Sequence, residues 1–188
     1  SVSPDARSWQ VDRAQFDHLL WRNATRQGVE VIEEATVRRI LFDGDRAVAA
    51  EWTGAGTTRT TQFDFLVDAS GRAGVLTAQL FRNRKRNPEF ENIAVWGYWT
   101  GATIPPGAPP GALNAIATPD SWWWAIPLAG DRLSLGNVTH RTAFRRRRPD
   151  FASLEAYYHD RLAACEKVSQ MVEPAALVSP IRAEQDYS

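Results

Sequence analysis

The sequence predicts an α+β fold, with helices and antiparallel strands occupying separate stretches of the chain. Three observations predict it. A capped amphipathic pattern at residues 12–28 leads into strands separated by Asp-Gly and Gly-rich turns. A second group of strands fills residues 92–139, and a long helical pattern follows at about 150–171. Runs of strands set apart from helices, without strict strand–helix alternation, mark this class.

Each element has a local reason. Asp12 caps the first helix, Gln15 stands three residues on, and Phe16, Leu19, Leu20 and Ala24 recur at helical spacing up to Gly28. Residues 29–69 read as strand, strand, Asp-Gly turn, strand, Gly-rich turn and a last strand, FDFLVDA. The turn Asp68-Ala69-Ser70-Gly71-Arg72 then opens a short helix through Leu80. Arg82, Arg84, Lys85 and Arg86 form a basic turn before Asn-Pro. NIAVWGYWTGATI (92–104) reads as a long strand, PPGAPPG (105–111) as a loop, and 112–118, 121–128 and 132–139 as three more strands. Arg145–Arg148 with Pro149 punctuate the chain before the helix at 150–171, whose apolar face carries Phe151, Leu154, Tyr158 and Leu162. The tail from Glu173 has no signal for a particular element.

Composition narrows the function. The chain has 188 residues, 44% hydrophobic and 23% charged, with zero net charge and a pI near 6.8. That is an ordinary soluble balance and gives no global attraction to nucleic acid or to a membrane surface. No stretch approaches the roughly 20 apolar residues of a spanning helix. The single cysteine, Cys165, has no internal disulfide partner, so the expected location is the cytoplasm. His18, His140 and His159 lack metal-ligand spacing, so no metal site is expected. Gly-x-Gly-x-x-Gly is absent from the 188 residues, so no phosphate loop of that type is expected within them.

The segment SWWWAIPL (121–128) concentrates three of the eight tryptophans. In a strand, Trp122 and Trp124 share one face and Trp123 takes the other. Such a strand either anchors a core or lines a cavity, and the two roles are compatible. At Asp68-Ala69-Ser70-Gly71 the alternatives are a plain strand-to-helix turn, with Asp68 as cap, or a turn whose small residues admit a ligand. There a helix N-terminus would favour phosphate. The basic runs are solvated loops or a docking surface for an acidic partner.

These stretches, in this order, resemble the flavin-dependent halogenases, in the branch acting on phenols and pyrroles. QVDRAQFDHLLWRNATRQGVEV (10–31) and FLVDASGR (65–72) look like segments of FAD-dependent aromatic hydroxylases. Trp-Trp-Trp-Ala-Ile-Pro (122–127) matches the W-x-W-x-I-P motif of the halogenases, and NIAVWGYW (92–99) and RLSLGNV (132–138) are similar to their substrate domain.

The resemblance implies a fragment of a two-domain FAD/NAD(P)-binding α/β fold. Residues 1–80 would be the central part of the FAD-binding domain. Residues 81–188 would hold an antiparallel substrate-domain sheet (about 90–145) and the helix at about 150–171. The implied reaction is chlorination of an electron-rich phenol or pyrrole in secondary metabolism, through a flavin hydroperoxide and hypohalous acid. It needs FAD, chloride, oxygen and a separate flavin reductase, on a small aromatic substrate that is free or tethered to an acyl-carrier protein. Trp122, Trp124, Ile126 and Pro127 would wall the flavin from the substrate. Arg13, Val37, Asp68, Ala69, Ser70 and Gly71 would contact FAD. The family's catalytic lysine matches neither Lys85 nor Lys167 and is expected upstream, with the glycine-rich motif. The final EQDYS resembles the approach to a later Gly-Asp flavin motif. The expectation is a chain carrying only the middle of such an enzyme and inactive alone. An aromatic hydroxylase of the same fold and a non-catalytic module without flavin are the alternatives.

Overall fold

The computed structural model describes residues 9–85, 87–105, 107–109 and 111–185. Arg86 of the basic turn, Pro106 and Pro110 of the proline-rich loop, and residues 186–188 of the final motif lie outside the described residues. The chain divides into two compact units, Phe16–Arg84 on one hand and the residues up to Gln15 together with those from Lys85 on the other. The antiparallel sheets and flanking helices agree with the predicted α+β class.

The first helix, α1 (Arg13–Arg26), begins where Asp12 Oδ1 accepts hydrogen bonds from the amides of Ala14 (3.1 Å) and Gln15 (3.4 Å), and Gly28 follows at φ +88°. Its predicted apolar stripe is real but uncovered among the described residues, with Leu19 and Leu20 more than half exposed. In the Phe16–Arg84 unit, β1 (Thr36–Asp43), β2 (Arg46–Gly54) and β3 (Thr57–Gln62) form an antiparallel meander. Ala55 and Gly56 join β2 to β3 at φ +48° and +73°, the two left-handed positions of a tight hairpin turn.

Two predicted strands in this unit are not formed. Residues 29–33 run without strand pairing, and FDFLVDA continues past β3 with no ladder of its own. A strand exists only through its neighbour's hydrogen bonds, and no described segment lies beside residues 64–70 in a ladder. Phe65 and Val67 are accordingly 84% and 73% exposed. Beyond them the predicted short helix becomes a 3-10 turn at Gly71–Ala73 and a π-helix at Val75–Leu80.

The other unit is built on one sheet. Its strands are β4 (Asn92–Thr100), β5 (Asn114–Ala117), β6 (Ser121–Leu128) and β7 (Arg132–His140), with β8 (Ala176–Leu177) and β9 (Arg182–Gln185) from the tail. The order is β5-β6-β7-β4-β8, and β9 pairs with the other end of β4. Thus β8 and β9 are two pieces of one broken edge strand. Ser179 repairs the gap, its hydroxyl accepting from the Tyr98 amide at 2.9 Å next to Pro180, which has no amide hydrogen to donate.

Helices cover one face of this sheet. The predicted helix at 150–171 is two helices, α3 (Leu154–Ala163) and α4 (Glu166–Val172), separated at Ala164–Cys165. Ser153 caps α3, accepting from the Ala156 amide at 3.0 Å. The arginine run is not a loop but the last turn of α2 (Arg141–Arg147), continued by a 3-10 turn at Arg148–Asp150. The break lets Tyr158 and Leu162 of α3 and Val168 and Met171 of α4 press on Val95, Trp99, Trp123 and Leu135 as one core.

Candidate functional site

In the Phe16–Arg84 unit the small-residue turn is held by its own side chains. Asp68 Oδ1 accepts from the Ser70 amide (3.0 Å) and hydroxyl (2.5 Å), and Oδ2 accepts from the Leu76 amide at 2.8 Å. The Ser70 hydroxyl accepts in turn from the Val75 amide at 3.0 Å. The Ser70 hydroxyl first, then the Leu76 and Ser70 amides, hold the Asp68 carboxyl below its ordinary value of 3.8. Asp68 therefore keeps a negative charge at the start of the π-helix and takes two of the backbone donors there. The Ser70 and Leu76 amides are thus taken by the Asp68 carboxylate and the Val75 amide by the Ser70 hydroxyl.

What the turn offers is an apolar hollow. Val37, Ile40, Leu66, Val67, Asp68, Ala69, Ser70, Val75 and Leu76 line a cavity of about 210 Å³. That is below the roughly 300–1,000 Å³ of a drug-sized ligand pocket. Gly71 follows at φ +60° with open space where a side chain would project. Its lining is mainly apolar, with the exposed turn at Ala69 and Ser70 at its edge. Val37 and Ile40 share a face only because β1 is irregular: Val37 opposes Trp52 and Ile40 opposes Ala50, with a bulge between Val37 and Arg39. Bulges re-aim side chains in this way beside functional sites.

In the other unit, β6 divides as a strand must. Trp123 is fully buried toward the helices, its ring 5.5 Å from that of Tyr158. Trp122 and Trp124 lie on the opposite face with ring centroids 6.2 Å apart, and Trp96 of β4 stands 6.3 Å from Trp124. Trp122 remains 43% exposed. Trp124 Nε1 donates to Ser134 Oγ at 3.2 Å, and its ring lies over Gly136, where a Cβ would come within 2.2 Å of it. Pairing settles the other members of both faces. Ile126 opposes Ser134 and belongs with Trp122 and Trp124, whereas Pro127 opposes Leu133 and belongs with Trp123 and Ala125. Tyr98 opposes Ser134 and joins the aromatic face. Trp99 is core, its Nε1 donating to Tyr158 Oη at 3.1 Å, and that hydroxyl donates to the Leu135 carbonyl at 3.0 Å.

The structure thus gathers Val37, Asp68, Ala69 and Ser70 around one cavity, while Gly71 and Arg13 are not among its lining residues. It sets Trp122, Trp124 and Ile126 on one face, with Pro127 on the other side of the strand. Sequence reading missed Ile40, Leu66, Val75 and Leu76 around the hollow, and Trp96 and Gly136 on the aromatic face. A strict alternation rule finds Trp96 but not Ile40, because of the bulge. Among the described residues no cluster of His, Cys, Asp or Glu could hold a metal ion, and no helix is long and apolar enough to cross a membrane.

Comparison with known proteins gives the family. The tryptophan halogenase family model matches residues 2–173. A tryptophan 2-halogenase of Chondromyces crocatus is 42% identical over 184 residues, covering 96% of this chain and 35% of that protein. Among solved structures, CmlS, a flavin-dependent halogenase, aligns with a TM-score of 0.87 at 30% identity, over 99% of this chain and 34% of that one. The myxobacterial chondrochloren halogenase CndH aligns with a TM-score of 0.80 at 31% identity, over 96% of this chain and 42% of that one. The chain therefore spans between about a third and two fifths of the length of these relatives.

Proposed function

Since this chain belongs to the tryptophan halogenase family, we propose that the full-length protein is an FAD-dependent halogenase that chlorinates an electron-rich aromatic ring, a phenol or pyrrole. The observation that carries the reading is the division of the W-x-W-x-I-P strand. Trp122, Trp124 and Ile126 leave the helix-covered core and present rigid apolar bulk on one face. Bulk of that kind excludes water and keeps a ring substrate at a fixed distance from an oxidant source. Trp123 and Pro127 anchor the strand from behind.

Val37 and Ile40, with the turn at Ala69, Ser70 and Gly71, would hold the adenosine side of FAD. Asp68 lines the same cavity and shapes the turn through Ser70 and Leu76. When bound, FAD would supply the oxygen activation that no side chain of this unit can provide. Chloride is the proposed co-substrate, and reduced FAD comes from a separate reductase. Where the substrate is tethered to an acidic carrier protein, Arg145 and Arg146 of α2 are the exposed cations that would meet it. Arg147 and Arg148 are engaged with Asp160 and the Phe151 carbonyl.

The test is incubation of the full-length protein with reduced FAD, oxygen, chloride or bromide, and a panel of phenol, pyrrole and indole substrates. Indole belongs in the panel because one relative is a tryptophan 2-halogenase. Halogenated product supports the reading, and the preferred ring and halide refine it. Hydroxylated product without halogenation replaces it with an aromatic hydroxylase. Absence of both products and of FAD binding leaves a non-catalytic module.

A further inference from the structure

The turn that enters the tryptophan strand is fastened by a buried arginine. Arg161 of α3 is only 7% exposed. Its Nη2 donates to Asp120 Oδ1 at 2.5 Å and to Ser121 Oγ at 3.2 Å. Asp120 is half exposed and also lies 3.9 Å from Arg147, which bonds Asp160 at 3.3 Å. On the sheet side, Asn137 Nδ2 donates to Ser121 Oγ at 3.0 Å and reaches the Trp122 carbonyl at 3.4 Å. Thr139 donates to the Asp120 carbonyl at 3.2 Å. Residues 120–122 are thus held from the helix layer and from β7 together.

Stability alone does not call for this arrangement. Replacing both members of a buried ion pair with apolar side chains of similar volume is often neutral or stabilising. What a guanidinium adds is direction, because its planar donors fix the partner in one orientation. The fixed residues immediately precede Trp122, the most exposed tryptophan of the aromatic face, whose ring touches that of Trp124.

We propose that Arg161 is a positioning residue for the aromatic face, acting through Asp120 and Ser121 to hold Trp122 against Trp124. The inference rests on the halogenase reading for its catalytic consequence, but not for its mechanical one.

The test uses the full-length enzyme with Arg161→Met, Arg161→Lys and Asp120→Asn, and with Val168→Ala as a core-destabilised control that leaves the Arg161–Asp120 contact in place. Two quantities are read besides the melting temperature: hydrogen exchange of the amides at 120–124, and halogenated product formed per oxygen consumed. Arg161→Met and Asp120→Asn should accelerate exchange at these amides at least tenfold and lower the product ratio at least threefold. Arg161→Lys should recover at least half of each, and Val168→Ala should lower the melting temperature while leaving both near wild type. Wild-type exchange or a wild-type ratio in both Arg161→Met and Asp120→Asn overturns the proposal, as does an equal effect from Val168→Ala. If Arg161→Met does not fold, Asp120→Asn and Arg161→Lys decide. If the wild type makes no halogenated product, the halogenase reading fails and the exchange result alone decides the positioning.

Discussion

Replacing Gly136 with alanine tests the geometry of the aromatic face directly. A Cβ there would lie 2.2 Å from Trp124 Cζ2 and 2.5 Å from Cε2 and Cη2. Ordinary contact begins at 3.4 Å, so the indole must withdraw by about 1.2 Å, the difference between the two distances. It has little room, with Trp122 and Trp96 on its flanks and Ser134 holding its Nε1 at 3.2 Å. Overpacking of this kind costs about 1–3 kcal/mol. Loss of the Ser134 hydrogen bond adds roughly 1 kcal/mol. Gly97→Ala is the comparison. Its Cβ would meet the Ile181 and Leu177 methyl ends at 2.7 and 2.9 Å, and these can rotate aside, at about 0.5–1.5 kcal/mol for a displaced side-chain torsion. The assay is denaturant unfolding of the full-length variants, with near-UV circular dichroism reporting the coupled indoles. Gly136→Ala should be the less stable by about 0.5–3.5 kcal/mol, on the difference of these costs, and should alter the tryptophan bands. Equal stability of the two variants with unchanged tryptophan bands would refute the stacking of Trp124 on Gly136.

Tyr158→Phe should destabilise by about 1–3 kcal/mol, because it leaves the buried Trp99 Nε1 without its acceptor; chemical denaturation measures it. Burial raises the Tyr158 hydroxyl above its ordinary value of 10.0. Folding therefore favours the neutral phenol, so this contribution is complete below pH 10 and is lost as pH climbs toward the raised folded value; Tyr158→Phe should flatten the alkaline limb of a stability–pH curve. Asp68 has the opposite sign. Its carboxyl is depressed, so its stabilisation of the turn holds above its ordinary 3.8 and falls away as acid protonates it below that value. Exchange of the Val75 and Leu76 amides should accelerate in that acid window, and Asp68→Ala should show the accelerated rate already at neutral pH. Ala69→Leu should fill the hollow beside Val37 and weaken FAD binding by the full-length protein about tenfold or more, about 1.4 kcal/mol. Unchanged affinity in a flavin-fluorescence titration would move the adenosine site elsewhere.

Some elements were legible because their causes are local. Asp12 and Gly28 bracket α1 whatever surrounds it, and Gly56 takes a left-handed position in the turn between β2 and β3 without steric cost. The period of two in SWWWAIPL assigned Trp123 to one face and Trp122 with Trp124 to the other before any neighbour was known. Elements that depend on a partner were misread. FDFLVDA has the composition of a strand but no ladder beside it among the described residues. The tail carries no signal for a particular element and Ser179-Pro180 interrupts it, yet β4 supplies an edge that both halves pair with. The long helical pattern hid the corner at Cys165, which only packing on Trp123 and Trp99 requires.

The sites divide in the same way. By itself the sequence determined which residue types stand at the turn and in the tryptophan strand, and which of the three indoles share a face, because strand alternation is a property of the chain. Tertiary structure alone decided that Asp68 turns its carboxylate inward on Ser70 and Leu76, that a bulge brings Ile40 beside Val37, and that Arg161 reaches Asp120 across 41 residues. These outcomes depend on hydrogen bonds and close packing between segments distant in sequence. No local preference encodes them, since neither partner has a reason for its orientation until the other is in place.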